Sequence, residues 1–105
     1  MCQRAAGAPA VAWGTVPVAA FCYSKGSPAI YPSSRRYQRE FCAMCGTPIV
    51  FRRQHAPAFV DFTLASLDTP TAIEPEYHIW RMSRIPWFET TDNLPRHADA
   101  GPDQQ

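Results

Sequence analysis

Phe41-Cys42-Ala43-Met44-Cys45-Gly46-Thr47-Pro48 is the stretch on which the fold of this chain turns. Two cysteines three positions apart, followed at once by glycine, outline a metal knuckle, in which both sulfurs face one tetrahedral zinc while the chain reverses between them. Gly46 can take the left-handed backbone conformation that such a reversal needs. The flanks, Arg39-Glu40-Phe41 leading in and Ile49-Val50-Phe51 leading out, place the knuckle at the turn between two strands. Three readings compete for the pair: a zinc half-site, a redox dithiol, or two ordinary buried cysteines. A redox pair usually has a helix after its first cysteine, and Gly46 and Pro48 forbid one here. A half-site supplies two ligands where structural zinc takes four, so two more donors have to be found.

Working outward, 105 residues suffice for one small domain. A hydrophobic content of 46%, with 6 Phe, 4 Tyr and 3 Trp, allows a core. A net charge of +1 gives no electrostatic case for nucleic acid or an anionic membrane. The 11 prolines argue against long helices, and no apolar run approaches the roughly 20 residues of a membrane span. Residues 5–20 are rich in small apolar side chains but lack the basic start and clean apolar stretch of a signal peptide. The cytoplasm is therefore the expected compartment. There, four cysteines are expected as ligands or free thiols rather than disulfides.

In order, Cys2 reads as an exposed thiol near a loose terminus. Val11-Ala12-Trp13-Gly14-Thr15-Val16 reads as a strand, and residues 17–21 as a single helical turn started by Pro17. Cys22, between Phe21 and Tyr23, reads as a buried packing thiol. Ala29-Ile30-Tyr31 is a short strand. Residues 35–41 read as a strand with Tyr37 and Phe41 inward and a wet face opposite. Residues 52–57, with His55, read as a hairpin loop. Residues 58–64 form the clearest strand, with Val60, Phe62 and Leu64 on one face and Phe59, Asp61 and Thr63 on the other. Glu76-Tyr77-His78-Ile79-Trp80 reads as a last aromatic strand, with Trp87 and Phe88 as a lid on the core. Residues 1–96 are expected as the domain and 97–105 as a disordered tail. Many short strands with turn signals between them predict a mainly all-β fold, an antiparallel sandwich or folded sheet.

The motifs Phe41-Cys42-x-x-Cys45-Gly46-Thr47-Pro48, Leu67-Asp68, His78-Ile79-Trp80, Pro86-Trp87 and Asp92-Asn93-Leu94-Pro95, in this order, resemble the CENP-V/GFA domain. This is the family of glutathione-dependent formaldehyde-activating enzymes. The resemblance implies the Mss4-like β-tent, built of small antiparallel sheets around zinc. It implies Cys42 and Cys45 as ligands of a structural zinc, completed in the family by an N-terminal Cys-x-Cys pair. Members also hold a second, catalytic zinc with a Cys-x-Cys-x-x-Cys motif, usually followed by Arg or Gln. Met1-Cys2-Gln3-Arg4 looks like the end of that motif, which makes Cys2 its remnant. Cys22 matches no ligand position. The resemblance therefore reads the domain as N-terminally truncated.

What the resemblance implies about chemistry is a carbon–sulfur lyase reaction. Glutathione binds as a thiolate at a zinc with an open position and adds to formaldehyde, giving S-hydroxymethylglutathione. The implied cofactor is zinc, the implied partner a glutathione/aldehyde adduct. No catalytic residue is assigned. His78 is a candidate acid or base by chemistry alone, against a histidine that packs and hydrogen-bonds. With one thiolate of the catalytic motif left, the expectation is impaired activity. The alternatives are a non-catalytic zinc-binding or interaction module, with ligands completed by His55, His97, Cys2 or a second subunit in a homodimer, and an incomplete fragment.

Overall fold

The alternating run at residues 58–64 becomes a central strand of one antiparallel sheet, and its inward side chains become the core. The computed structural model describes residues 2–101. A short helix, α1 (Cys2–Ala6), precedes β1 (Trp13–Pro17), β2 (Ala29–Tyr31), β3 (Tyr37–Phe41), β4 (Pro48–Arg53) and β5 (Phe59–Thr63). The sheet order is β1-β5-β4-β3-β2. Strands β2 to β5 are a meander, and β1 closes on the outer side of β5, with Trp13 opposite Thr63 and Pro17 opposite Phe59. The remaining chain is turns and single 3-10 turns, at Val18–Ala20, Leu64–Ser66, Pro70–Ala72 and Arg81–Ser83. The protein is mainly β with five antiparallel strands, consistent with the small all-β, Mss4-like class expected. No helix among the described residues is long and apolar enough to cross a membrane.

Residues opposite one another on antiparallel strands share a face. One face carries Gly14, Val60, Phe62, Val50 and Glu40, aligned by the registers Gly14↔Phe62, Val50↔Phe62 and Glu40↔Val50. Val50, Val60, Phe62 and Leu64 are buried there and form the core. The connection from β1 to β2 packs against it through Phe21 and Tyr23. The Phe21 ring stacks on Phe62 at 6.3 Å and meets Tyr23 edge-on at 5.3 Å. The opposite face holds an aromatic row, Trp13, Phe51 and Tyr37, with Tyr37 stacked on Phe51 at 4.9 Å.

This arrangement corrects several expectations. Strand β3 lies with its polar side inward: Glu40 is buried, while Tyr37 and Phe41 stay half-exposed. The charge is accommodated because Arg52 Nη2 donates to Glu40 Oε1 (2.9 Å), Gln38 Nε2 to Oε2 (2.8 Å) and the Tyr23 hydroxyl to Oε1 (3.0 Å). Arg52 Nε lies 2.6 Å from Oε2 but off its N–H direction, so the Nη2 contact is the directed bond. Burial, then the bond to Glu40, push the Tyr23 hydroxyl pKa up. Arg52 and Arg53 accordingly finish β4 rather than starting a loop.

Cys22 is exposed, not buried. Its neighbours Phe21 and Tyr23 both turn to the core, and in extended chain the residue between them must face the other way. Residues 76–80 are not a strand. They make one isolated parallel bridge, His78 to Arg96. Trp80 sits in the left-handed region at φ 55°, which ends any extended run. Trp87 is 75% exposed and is no lid. The core is closed instead by Phe21 and Tyr23. Of the expected tail, residues 102–105 lie outside the described part, and 97–101 are bonded in place: His97 N–H donates to the His78 carbonyl (2.7 Å) and Trp80 N–H to that of Asp99 (2.8 Å).

Candidate functional site

The β3–β4 turn builds the knuckle from its own backbone. Cys42 N–H donates to the Thr47 carbonyl (2.9 Å), and Gly46 N–H to that of Cys42 (2.8 Å). Gly46 has φ 81°, the left-handed conformation that an L side chain resists. A bulge between Glu40 and Phe41 offsets the strands just before the turn. Residues 43–48 are all exposed, and Met44 at the tip is 95% exposed. Cys42 is half-buried and Cys45 exposed. The Cys45 sulfur lies 3.0 Å from the Thr47 hydroxyl. That contact first, then the Thr47 backbone and the Cys42 thiol, hold the Cys45 pKa below the usual thiol value.

Cys2 stands on α1, where Arg39 Nη2 donates to its sulfur at 3.4 Å. Arg39 also lies over the Phe51 ring, 4.8 Å from its centroid. Gln3 Nε2 ties α1 to the carbonyls of Pro9 (3.4 Å) and Ser83 (3.2 Å). An open cleft of about 1080 Å³ extends from α1 to the knuckle, lined among others by Cys2, Arg4, Trp13, Arg39, Thr47 and Thr63. Arg39 lies within residues 35–41, which read from the residues alone as a strand. Its place beside a thiol depends on α1 folding back over β3, which leaves no local signal.

His78 does not line that cleft. Its Nε2 is 2.9 Å from Asp92 Oδ1 and 3.4 Å from the Thr90 hydroxyl. Arg96 Nη2 donates to Thr90 Oγ1 and to the carbonyls of Thr90 and Asp92, each at 3.0 Å. The histidine is hydrogen-bonded, as one of its two sequence readings had it. His55 is exposed in the β4–β5 turn.

Two carboxylates hold this C-terminal segment. Arg81 Nη1 donates to Glu89 Oε1 (2.7 Å), and chiefly this bond holds the Glu89 carboxyl down at about 2, against an ordinary 4.5. The His78 contact, foremost, lowers Asp92 as well. A depressed carboxylate stabilises the folded state fully above its unfolded pKa, and that contribution is lost as pH falls through the folded value. Between pH 4.5 and about 2 the hydrogen-exchange protection of the His78 and Trp80 amides should fall. Protection unchanged down to pH 2 would show that these exposed pairs hold nothing in place.

A metal needs more donors than the knuckle has. Among the described residues no group of three or more His, Cys, Asp or Glu side chains is placed to hold an ion. Cys2, His55 and His97 thus do not join Cys42 and Cys45 within this fold. Two thiols on a preformed reversal fit half of a structural zinc site; a catalytic zinc with three protein ligands does not fit.

No curated protein and no solved structure matches the chain. The family model described as glutathione-dependent formaldehyde-activating enzyme matches residues 1–83, a span that takes in Cys2, the sheet, the cysteine turn and the aromatic segment at 76–80 but ends before the Pro86-Trp87 and Asp92-Asn93-Leu94-Pro95 motifs. With most of its length matched, the chain belongs to the glutathione-dependent formaldehyde-activating enzyme family.

Proposed function

We propose that this protein is a zinc-holding member of its family in which Cys42 and Cys45 serve a structural metal and the carbon–sulfur lyase chemistry is impaired. The observation that supports this reading is the knuckle, whose two thiols are held on a backbone reversal bonded at both ends. A zinc there would pin the β3–β4 turn and add to the stability of a thin, single-sheet core. Among the described residues, Cys2 stands without the two further donors that a catalytic zinc site would need. Binding of a small anionic thiol such as glutathione is a separate matter from turnover. The cleft beside Cys2 offers the Arg4 and Arg39 guanidinium groups to a carboxylate, and the Trp13 and Phe51 rings border the same sheet face.

The test is elemental analysis of zinc in purified, desalted protein. Wild type should retain zinc, and Cys42→Ser should lose it. The rate at which glutathione and formaldehyde form their adduct, followed by NMR, should be unchanged by the protein. Folded wild-type protein without zinc would overturn the metal reading, and an accelerated rate would overturn the impaired one.

A further inference from the structure

We infer that the end of the sheet opposite the cysteine turn is a docking site for single-stranded nucleic acid, whose phosphates meet Arg35, Arg36 and Arg53 and whose bases stack on Tyr37 and Phe59. The net charge of +1 conceals a segregation of charge along the chain. Before Asp61 there is one carboxylate, Glu40, and the other eight Asp and Glu residues follow from Asp61 onward. Glu40 is buried and bonded to Arg52, and Arg39 is turned to Cys2. That leaves Arg35, Arg36 and Arg53 at one end of the sheet. All three are exposed and, among the described residues, make no ion pair and no side-chain hydrogen bond.

Their support is built into the fold. Gln54 Nε2 donates to the carbonyls of Ser34 (2.7 Å) and Tyr37 (3.1 Å), and Gln54 N–H to that of Arg36 (2.7 Å). Tyr37 N–H donates in turn to Ser34 Oγ (3.3 Å). The loop that carries Arg35 and Arg36 is thereby tied to the residue that follows Arg53 at the end of β4. Tyr37 stands opposite Arg53, and the β4–β5 register, continued by two residues from Phe51↔Asp61, brings Arg53 opposite Phe59. On the face away from the core, three adjacent strands thus present a ring, a guanidinium and a ring in a row. Tyr37 is half-exposed, and Phe59 is 39% exposed. The one carboxylate that the strands place on this face, Asp61, lies nearer the cysteine turn and accepts from the Thr15 hydroxyl at 2.7 Å. Guanidinium groups pair with phosphate in a planar fork. An acidic peptide would satisfy the arginines alone, whereas the rings on either side of Arg53 suit a strand that carries flat bases between its charges. In a duplex those bases stack on one another and are closed to Tyr37 and Phe59.

Three phosphate contacts, at about 0.7 each for a single strand, make the logarithm of the binding constant fall with the logarithm of salt concentration with a slope of about −2. Fluorescence anisotropy of a labelled oligothymidylate, titrated with the full chain at a series of NaCl concentrations, measures that slope. Arg53→Gln should flatten it to about −1.4. Phe59→Ala should weaken binding about fivefold or more at every salt concentration and leave the slope unchanged, since stacking releases no counterions. Arg84→Gln, on the C-terminal segment beside Glu89, should match wild type. The wild-type slope needs no substitution, so it decides the matter even if a variant fails to fold. No binding at low salt, or a slope that Arg53→Gln leaves unmoved, would overturn the site. Polyglutamate displacing the oligonucleotide at equal charge concentration would assign this end of the sheet to acidic peptides, and a duplex bound as tightly as the single strand would remove the role of the rings. Either result would overturn the inference as well.

Discussion

Arg52→Met should lower the unfolding free energy by about 3–5 kcal/mol. Among the described residues the guanidinium is the only cation bonded to the Glu40 carboxylate, whose side chain is 4% exposed. Removing it leaves a buried charge with two neutral donors, Tyr23 and Gln38, and desolvation is then uncompensated. In a domain of this size, whose whole stability is roughly 5–15 kcal/mol, such a loss would leave little folded protein at physiological temperature. The argument is about breaking the pair, not about its net worth. Replacing all the polar partners together, as in Tyr23→Phe/Glu40→Leu/Arg52→Met, should recover most of the loss, because an apolar group of similar volume needs no partner. Denaturant unfolding followed by tryptophan fluorescence measures both. A single-mutant cost below about 1 kcal/mol would mean that water reaches Glu40, as it reaches surface pairs of that strength.

Gly14→Ala is the second large effect, at about 1–3 kcal/mol destabilising. Strand propensity alone gives the opposite sign, since glycine weakens a strand interior. Sterics decide. A Cβ at position 14 would lie 2.5 Å from Phe62 Cζ, 2.9 Å from its Cε2 and 3.0 Å from Leu64 Cδ2. The far end of a flexible surface side chain would simply move aside. Phe62 is 9% exposed and stacked under Phe21, so its ring has nowhere to go. The double variant Gly14→Ala/Phe62→Leu should lose less than the sum of its parts, because the shorter side chain vacates the space that the new methyl occupies. Strict additivity would place the cost in the backbone instead.

How much of this could be read from residues alone varies with where the deciding partner sits. In residues 58–64 it sits within the run. The alternation itself separates Val60, Phe62 and Leu64 from Phe59 and Asp61, and the core follows. The chain reversal at residues 42–47 is equally legible, since the cysteine spacing and Gly46 are local. Strand β3 reads inside out, because a buried Glu40 makes sense only once Arg52 and Tyr23 arrive from β4 and from the β1–β2 connection. The aromatic segment at 76–80 has strand composition, yet the sheet's edges are elsewhere, and its bonds go to residues 95–99 near the end of the chain. Cys22 misleads in the same way: its composition is apolar, but its parity against Phe21 and Tyr23 sends it outward. Any further donors to a metal at Cys42 and Cys45 belong to this class too, because they depend on what comes near in space.

The placing of β1 has a kinetic consequence. Strands β2 to β5 join by short turns, so their pairings are local and form early. Strand β1 pairs with β5 across the entire meander, and the loop it closes must be ordered before any contact rewards it. The nucleus of folding should therefore lie in β3, β4 and β5. Substitutions in β1, Gly14→Ala among them, should speed unfolding and leave the folding rate nearly untouched. Until β1 docks, the edge of β5, the strand with the most buried residues in the sheet, stands open, and that interval is when association between unfinished molecules competes with folding.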